Sequence, residues 1–171
     1  MIEASGVSLK IDQQKILDNV SLTIREKRVA IIGANGSGKT SFVRCLNDLI
    51  TPDEGLIRVG GLDTKKDIRA IRRKVGFVFQ NAAQQFIYPV VSEEIGFALQ
   101  VLNKPSAMIK EKTNQLLEQF GLVHLRDKPV HNLSGGEQKM VSLLSVMISE
   151  PDYLILDEPT NFLDHRQKRQ F

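Results

Sequence analysis

The sequence predicts an α/β fold with a largely parallel β-sheet, and three observations lead to that class. Residues 7–24 alternate between apolar and polar side chains, as half-buried antiparallel strands do. Residues 29–32 and 153–156 are short, continuous apolar runs, which are typical of strands covered on both faces of a parallel sheet. Segments with helical spacing lie between these runs. This order of strands and helices is the one that a parallel sheet requires.

The elements follow one another in a simple order along the chain. Two strands, joined by a turn near residues 12–14, come first. Gly121 and Pro151 are expected to end the two later helices. The charged stretch 65–74 is interpreted as a solvated face. The predicted strands are 7–11, 20–24, 29–32, 56–59, 75–79 and 153–156, and the predicted helices are 39–50, 103–120 and 134–149.

The composition is that of an ordinary soluble globular domain. The chain has 171 residues, of which 42% are hydrophobic and 25% charged, so it can bury a core. The net charge of +3 is too small to indicate a nucleic-acid surface, and we expect no nucleic-acid partner. Cys45 is the single cysteine, which excludes an intrachain disulfide, and we expect it to be buried on a helix. No stretch is apolar for the ~20 residues that a spanning helix needs, so another subunit would have to bring this chain to a membrane.

Residues 33–40 fit the phosphate-loop pattern G-x-x-x-x-G-K-S/T between a predicted strand and a predicted helix. Glycines allow successive backbone N–H groups to point inward, and the start of the helix adds its positive end, so the loop can hold phosphates. We expect Lys39 to reach the β- and γ-phosphates and the Thr40 hydroxyl to hold Mg²⁺. The predicted nucleotide-binding residues of this segment are Gly33, Ala34, Asn35, Gly36, Ser37, Gly38, Lys39, Thr40 and Ser41.

Two acidic residues follow the last predicted strand and supply the second half of a nucleotide site. Asp157 is the candidate Mg²⁺ ligand, and Glu158 is the candidate general base that polarises a water molecule. A general base has to lie within hydrogen-bond reach of the proton that it takes. A parallel sheet meets this condition, because the ends of neighbouring strands lie side by side.

Residues 133–138, Leu-Ser-Gly-Gly-Glu-Gln, form a second glycine-bearing helix start, and this one lacks a lysine. With the phosphate loop, Gln80 and the pair Asp157-Glu158, this segment makes the sequence resemble an ATP-binding-cassette (ABC) transporter ATPase, nearly from end to end. The resemblance implies a P-loop NTPase fold with an N-terminal antiparallel β arm. It also implies one nucleotide-binding domain over 1–171, with a catalytic core at about 1–80 and 151–171 and a helical insert at about 81–150.

The resemblance implies partners and cofactors as well. In the family, ATP and Mg²⁺ are held between the phosphate loop of one subunit and the Ser-Gly-Gly segment of a second, identical or different, subunit. Ser134, Gly135, Gly136 and Glu137 would therefore meet the nucleotide of the partner. Gln80 would sense Mg²⁺ and the attacking water and connect to an integral-membrane transport subunit, and Leu163-Asp164 would cross the dimer interface. The chain would then lie peripherally at the cytoplasmic face of the cell membrane.

The branch of the family is a finer question. Residues 79–86 and 91–97 are similar to the ATPases of energy-coupling-factor and cobalt-type importers, which take up vitamins and metal ions. Residues 156–164 are also similar to the ribosome-associated, translation-factor branch, whose members usually carry two cassettes in one chain. We favour an importer that hydrolyses ATP, and the ribosome-associated reading remains an alternative.

A departure from the family pattern concerns a histidine. Family members place it on a strand some thirty residues after the catalytic glutamate, where it contacts the γ-phosphate. The sequence stops at Phe171, and His165 is too close to Glu158 for that role. We therefore expect a C-terminally truncated cassette with part of its core missing. A module that binds nucleotide without hydrolysing it is the corresponding alternative.

Overall fold

The computed structural model describes residues 1–159, and the chain divides into two units, Met1–Val75 and Gly76–Phe171. The first unit is built on a four-stranded sheet with the strand order β2-β1-β3-β4, in which all neighbouring strands are antiparallel. The strands are β1 (Ile2–Ile11), β2 (Gln14–Ile24), β3 (Glu54–Val59) and β4 (Leu62–Asp63). This sheet confirms the predicted N-terminal antiparallel arm.

The hairpin between β1 and β2 has a two-residue turn. Asp12 and Gln13 have φ values of 47° and 66°, and Ile11 pairs with Gln14 across the turn. A turn with two positive φ values has the twist that joins antiparallel strands. The turn lies where the sequence predicts it.

Two short helices complete the first unit, α1 (Lys39–Cys45) and α2 (Ile68–Lys74). The helix predicted at 39–50 ends early, and Asp48 has a left-handed backbone with φ 54°. The segment interpreted as a solvated face is helical, with Ile71 buried on one side and its last three residues, all basic, exposed. An interpretation based on charge alone misses Ile71, the one buried residue of this helix.

Cys45 is completely buried on α1, as the sequence predicts. Its Sγ donates a hydrogen bond to the backbone oxygen of Ser41 at 3.1 Å. Burial, with a further contribution from the Asp48 carboxylate, raises the pKa of the thiol to about 11.

The strand predicted at residues 29–32 is wrong. The segment has no regular structure, and the exposed fractions of Val29, Ile31 and Ile32 are 51%, 42% and 91%. A strand exists only when a neighbour accepts and donates its backbone hydrogen bonds. Within residues 1–159, no strand pairs with this segment, so its apolar character alone does not make it a strand.

The second unit combines a small parallel sheet with three helices. The strands are β5 (Val75–Val78) and β6 (Tyr153–Leu156), and the helices are α3 (Val91–Val101), α4 (Ser106–Gln119) and α5 (Gly135–Met147). Both strands, α4 and α5 were predicted, with ends that differ by a few residues, whereas α3 was missed. Ser92, Glu93 and Glu94 make the start of α3 polar, which hides its apolar face in the sequence.

The helices share one apolar core. Its buried members are Val91, Ile95, Leu99, Leu117, Leu125, Val130, Leu133, Val141, Leu144 and Ile148. Helix α5 packs closely on β5. The approach is so close that a Cβ atom at Gly76 would collide with the Val146 side chain. This contact joins the last turn of α5 to the start of β5, and Lys139 near the other end of α5 reaches the backbone oxygens of Phe79 and Gln80, which follow β5. Across residues 1–159, the helices are all too short or too polar to cross a lipid bilayer.

Candidate functional site

The phosphate-loop segment leads directly into α1. The Ser37 N–H donates to the backbone oxygen of Ala34 at 3.2 Å, and the Phe42 N–H donates to that of Gly38 at 2.8 Å, which starts the helix. Gly38 has φ 85°, and a Cβ atom there would lie 2.8 Å from the backbone oxygen of Ile16. Both the backbone conformation and the space therefore require glycine at this position.

Lys39 is placed over the loop that it follows. Its Nζ donates to the backbone oxygens of Gly33 at 2.9 Å and Ala34 at 2.8 Å. Residues 33–37 are exposed, and Lys39, Thr40 and Ser41 are half-buried. The nine predicted phosphate-binding residues thus form an exposed loop and the first turn of α1, with the Lys39 amine held close to the loop backbone.

The second unit brings Gln80 and Glu158 together. The side-chain Nε2 of Gln80 donates to Oε2 of Glu158 at 2.6 Å, although the two residues are 78 positions apart. The strands place them side by side, because the Asp157 N–H donates to the backbone oxygen of Val78 at 3.0 Å. Glu158 also has a left-handed backbone with φ 47°, which is uncommon for a residue that is not glycine and is concentrated at functional sites.

The predicted metal ligands are a hydroxyl, an amide and a carboxylate. Thr40 lies in the first unit, and Gln80 and the buried Asp157 lie in the second. Within residues 1–159, there is no cluster of three or more His, Cys, Asp or Glu side chains that could hold a metal ion alone. In nucleotide sites, Mg²⁺ is bound by one or two protein carboxylates together with phosphates and water, so a single carboxylate such as Asp157 is enough. The oxygen atoms of Thr40, Gln80 and Asp157 therefore fit a Mg²⁺ ion that binds together with a nucleotide and is not held by protein side chains alone.

The Ser-Gly-Gly segment forms the start of α5 through a capping box. The Glu137 carboxylate accepts hydrogen bonds from the Ser134 N–H at 2.8 Å and from the Ser134 hydroxyl at 2.7 Å. The Ser134 hydroxyl accepts in turn from the Glu137 N–H at 3.4 Å. Ser134 and Gly135 are exposed, whereas Gly136 is buried. The capping box thus fixes a helix start whose first residues face outward.

The capping box predicts a pH dependence of stability. The hydrogen bonds from the Ser134 hydroxyl and N–H lower the pKa of Glu137 below its ordinary value of 4.5. The ionised carboxylate therefore stabilises the fold above about pH 4.5, and this contribution is lost as the pH falls through the lowered pKa. We expect Glu137→Gln to cost less than about 1 kcal/mol at pH 7, since the side chain is only partly buried and solvent screens its interactions.

Urea unfolding between pH 7 and pH 3 measures this effect. The difference in unfolding free energy between the unchanged chain and Glu137→Gln should shrink below about pH 4.5. Glu118→Gln, at an exposed position on α4 without a capping contact, is the control and should show a smaller difference at pH 7. A Glu137→Gln difference that stays constant down to pH 3 would contradict the role of the capping box.

Sequence reasoning missed Lys139, a buried residue on α5. Its Nζ donates to the backbone oxygens of Phe79 at 2.7 Å and Gln80 at 3.1 Å. Burial lowers the pKa of Lys139, and the Asp157 and Glu158 carboxylates partly oppose this effect. A signal was present, because Lys139 lies three residues after Gly136 and four before Leu143, both buried on α5. A charged residue at core spacing on a helix could have been singled out.

One predicted feature lies outside the described residues. Leu163 and Asp164, expected to cross a dimer interface, belong to residues 160–171, as does His165.

Comparisons with known proteins agree on one family. The sequence profile of the ABC transporter family matches residues 17–161. An ABC transporter ATP-binding protein of Deinococcus radiodurans is 42% identical over 170 residues, which are 99% of this chain and 75% of that protein. The biotin transport ATP-binding protein BioM of Rhizobium etli is 40% identical, over 97% of this chain and 73% of that protein. The cobalt import ATP-binding protein CbiO of Syntrophus aciditrophicus is also 40% identical, over 99% of this chain and 62% of that protein.

Solved structures show the same similarity. The cbiO1 protein of Clostridium perfringens, part of the ABC transporter complex cbiONQ, has a TM-score of 0.84 and 29% identity, over 99% of this chain and 69% of that one. The ATP-binding cassette MJ0796, in a dimeric post-hydrolysis state with ADP and Pi, has a TM-score of 0.87 and 25% identity, over 99% of this chain and 79% of that one. These likenesses confirm the predicted fold class.

Proposed function

The chain belongs to the ABC transporter family as an ATP-binding subunit, and we propose that it powers the uptake of a vitamin or a metal ion. Members of this family bind ATP with Mg²⁺ and hydrolyse it to drive transport across a membrane. The enzymatic class is therefore an ATPase. The individual residue roles, the nature of the dimer and the transported substrate are the proposed parts.

The hydrogen bond between Gln80 and Glu158 is the observation that carries the proposed roles in ATP hydrolysis. A carboxylate that follows a strand and accepts from a side-chain amide is held in one orientation, as a general base has to be. We assign to Glu158 the orientation of the attacking water and the acceptance of its proton. We assign to Gln80 the positioning of Glu158 and, through its amide oxygen, contact with Mg²⁺.

The phosphate loop supplies binding and charge neutralisation. The backbone of residues 33–38 would hold the phosphates through its N–H groups, and the Lys39 amine, already held over the loop, would neutralise the β- and γ-phosphates. Thr40 and Asp157 are assigned to Mg²⁺, which spreads the charge that develops on the transferred phosphoryl group. Both assignments follow from the fit of hard oxygen ligands to Mg²⁺.

We assign to residues 134–137 the contact with the nucleotide that a second ATP-binding subunit holds in a head-to-tail dimer. These residues are Ser134, Gly135, Gly136 and Glu137. Support comes from the exposure of Ser134 and Gly135, from the capping box that fixes this helix start, and from the dimeric state of MJ0796. The further partner is an integral-membrane transport subunit, which would place the chain at the cytoplasmic face of the membrane. We also propose that residues 81–150 form a helical insert in a single domain whose catalytic core is about 1–80 and 151–171.

The similarity to the biotin transport protein BioM and the cobalt import protein CbiO supports uptake of a vitamin or a metal ion. Transport in vesicles tests this. The chain would be reconstituted with the membrane subunits that co-purify with it, and uptake of labelled biotin and Co²⁺ would be measured with and without internal Mg-ATP. We expect ATP-dependent uptake of one of the two, and none when Glu158 is replaced by Gln. ATP-dependent export, or no transport of either substrate, would contradict the proposed substrate class or direction.

A further inference from the structure

Lys139 is a buried cation that belongs to none of the motifs described above. It is not part of the phosphate loop, the Ser-Gly-Gly segment or the Asp157-Glu158 pair. It lies on α5, five residues after Ser134, and only 2% of the residue is exposed. Burial of a charge is unfavourable unless hydrogen bonds or opposite charges compensate. The two hydrogen bonds to the backbone oxygens of Phe79 and Gln80 provide that compensation, and they hold the amine against the end of β5.

A second side chain ties the same segment to the same helix. Gln85 donates from Nε2 to the backbone oxygen of Ser142 at 2.8 Å and to Oγ of Ser145 at 3.2 Å, both on α5. Its Oε1 accepts from the Phe79 N–H at 3.2 Å. The N–H of Phe79 is therefore tied to α5 through Gln85, and its C=O is tied through Lys139. The chain from the end of β5 to residue 85 is held at two points.

The consequence for Gln80 is direct. Its backbone oxygen is fixed by Lys139, while its exposed side chain reaches Glu158 at 2.6 Å. Removal of the amine would leave two carbonyls without this donor and would release the backbone that carries the Gln80 amide. The hydrogen bond to Glu158 depends on the position of that backbone.

We propose that Lys139 is a positioning residue for ATP hydrolysis, which fixes the backbone of Gln80 so that its amide remains on Glu158. Lys139 also connects the helix that starts at the Ser-Gly-Gly segment to the hydrolytic residues of the same chain. Binding at the start of α5 would then be transmitted to Gln80 through a rigid contact. This inference rests on the proposed roles of Gln80 and Glu158.

The first test compares Lys139→Met with Lys112→Met. Both changes replace a lysine by an apolar side chain of similar length, and Lys112 is a partly exposed residue of α4 paired with Glu150. In the nucleotide-free chain, we expect amide hydrogen exchange of residues 79–85 to be about 10-fold faster in Lys139→Met and unchanged in Lys112→Met. We also expect kcat to fall about 10-fold in Lys139→Met, the loss typical of a removed hydrogen bond to a charged group. Affinity for a fluorescent ATP analogue should stay within about 2-fold, since Lys139 is assigned no contact with the nucleotide.

A double-mutant cycle separates positioning from general destabilisation. If Lys139 acts through Gln80, Lys139→Met should cause no further loss of kcat in a Gln80→Ala background. Lys139→Gln keeps N–H donors on a shorter side chain. With Gln80 in place, we expect this variant to retain kcat within about 3-fold of the unchanged chain. Losses that add in the cycle would overturn the proposal. Should Lys139→Met fail to fold, Lys139→Ala, which also removes the amine, takes its place in the cycle with Gln80→Ala.

The exchange measurement keeps this proposal distinct from the proposed function. An unchanged chain that binds ATP without hydrolysing it would contradict the proposed ATPase roles, and exchange of residues 79–85 would then decide the role of Lys139 alone. Exchange in this segment that is the same in the unchanged chain and both Lys139 variants would overturn the positioning role, whatever the hydrolysis rate.

Discussion

Glu158→Gln is expected to lower the rate of ATP hydrolysis by about 100-fold or more while ATP affinity changes by less than about 2-fold. The reason is chemical rather than steric. The glutamine side chain has the same shape, and its oxygen can still accept the hydrogen bond that Gln80 donates to Glu158. It cannot take a proton from water, because an amide oxygen is a very weak base. Only the chemical step should therefore be affected.

Single-turnover hydrolysis and equilibrium binding of a fluorescent ATP analogue separate the two quantities. Glu118→Gln removes a carboxylate from an exposed position on α4 and is the matched control, with unchanged turnover expected. A rate of ATP hydrolysis by Glu158→Gln equal to that of the unchanged chain would contradict the assignment of Glu158 as the general base. Loss of ATP binding together with turnover would assign Glu158 to the binding of the nucleotide instead.

Lys39→Met is expected to remove about half or more of the stabilisation that Mg-ATP gives to the fold. A ligand present at 100 times its Kd stabilises the native state by about 2.7 kcal/mol. Loss of charge-assisted contacts to phosphate is expected to raise Kd by about 10- to 100-fold. At a 100-fold higher Kd, the same ATP concentration would contribute only about 0.4 kcal/mol. The amine that bridges the Gly33 and Ala34 backbone oxygens is the group removed.

Thermal unfolding with and without Mg-ATP measures this difference. Lys27→Met, an exposed lysine in the same unit, is the control and should keep the full rise in Tm. An equal rise in Tm for Lys39→Met and the control would show that Lys39 makes no contribution to phosphate binding. A lower Tm for Lys39→Met without nucleotide would report on the two backbone contacts of its amine.

Local patterns predicted much of this molecule because their physical causes are local. The glycines and Lys39 of the phosphate loop, the hairpin turn and the helix start at Ser134 are each determined within a few residues. Residues 29–32 show where local reasoning fails. Their composition is that of a buried strand, yet strand formation depends on a neighbour that is distant in sequence.

The candidate site shows the same limit. The sequence identified Gln80 and Glu158 separately, but their contact depends on the adjacency of β5 and β6. The role of Lys139 could not be read from any motif, because its partners are backbone oxygens, which leave no trace in the side-chain pattern. Such contacts are visible only once the helix and the strand are packed together.

The burial of Cys45 has a practical consequence for spectroscopy. It is the only cysteine in the sequence, and with a pKa of about 11 its sulfur is almost entirely in the unreactive thiol form at neutral pH. A second cysteine placed on an exposed surface would therefore take a maleimide dye or a nitroxide selectively. The native chain thus needs no cysteine removal before fluorophores or spin labels report how far apart chosen positions lie during nucleotide turnover.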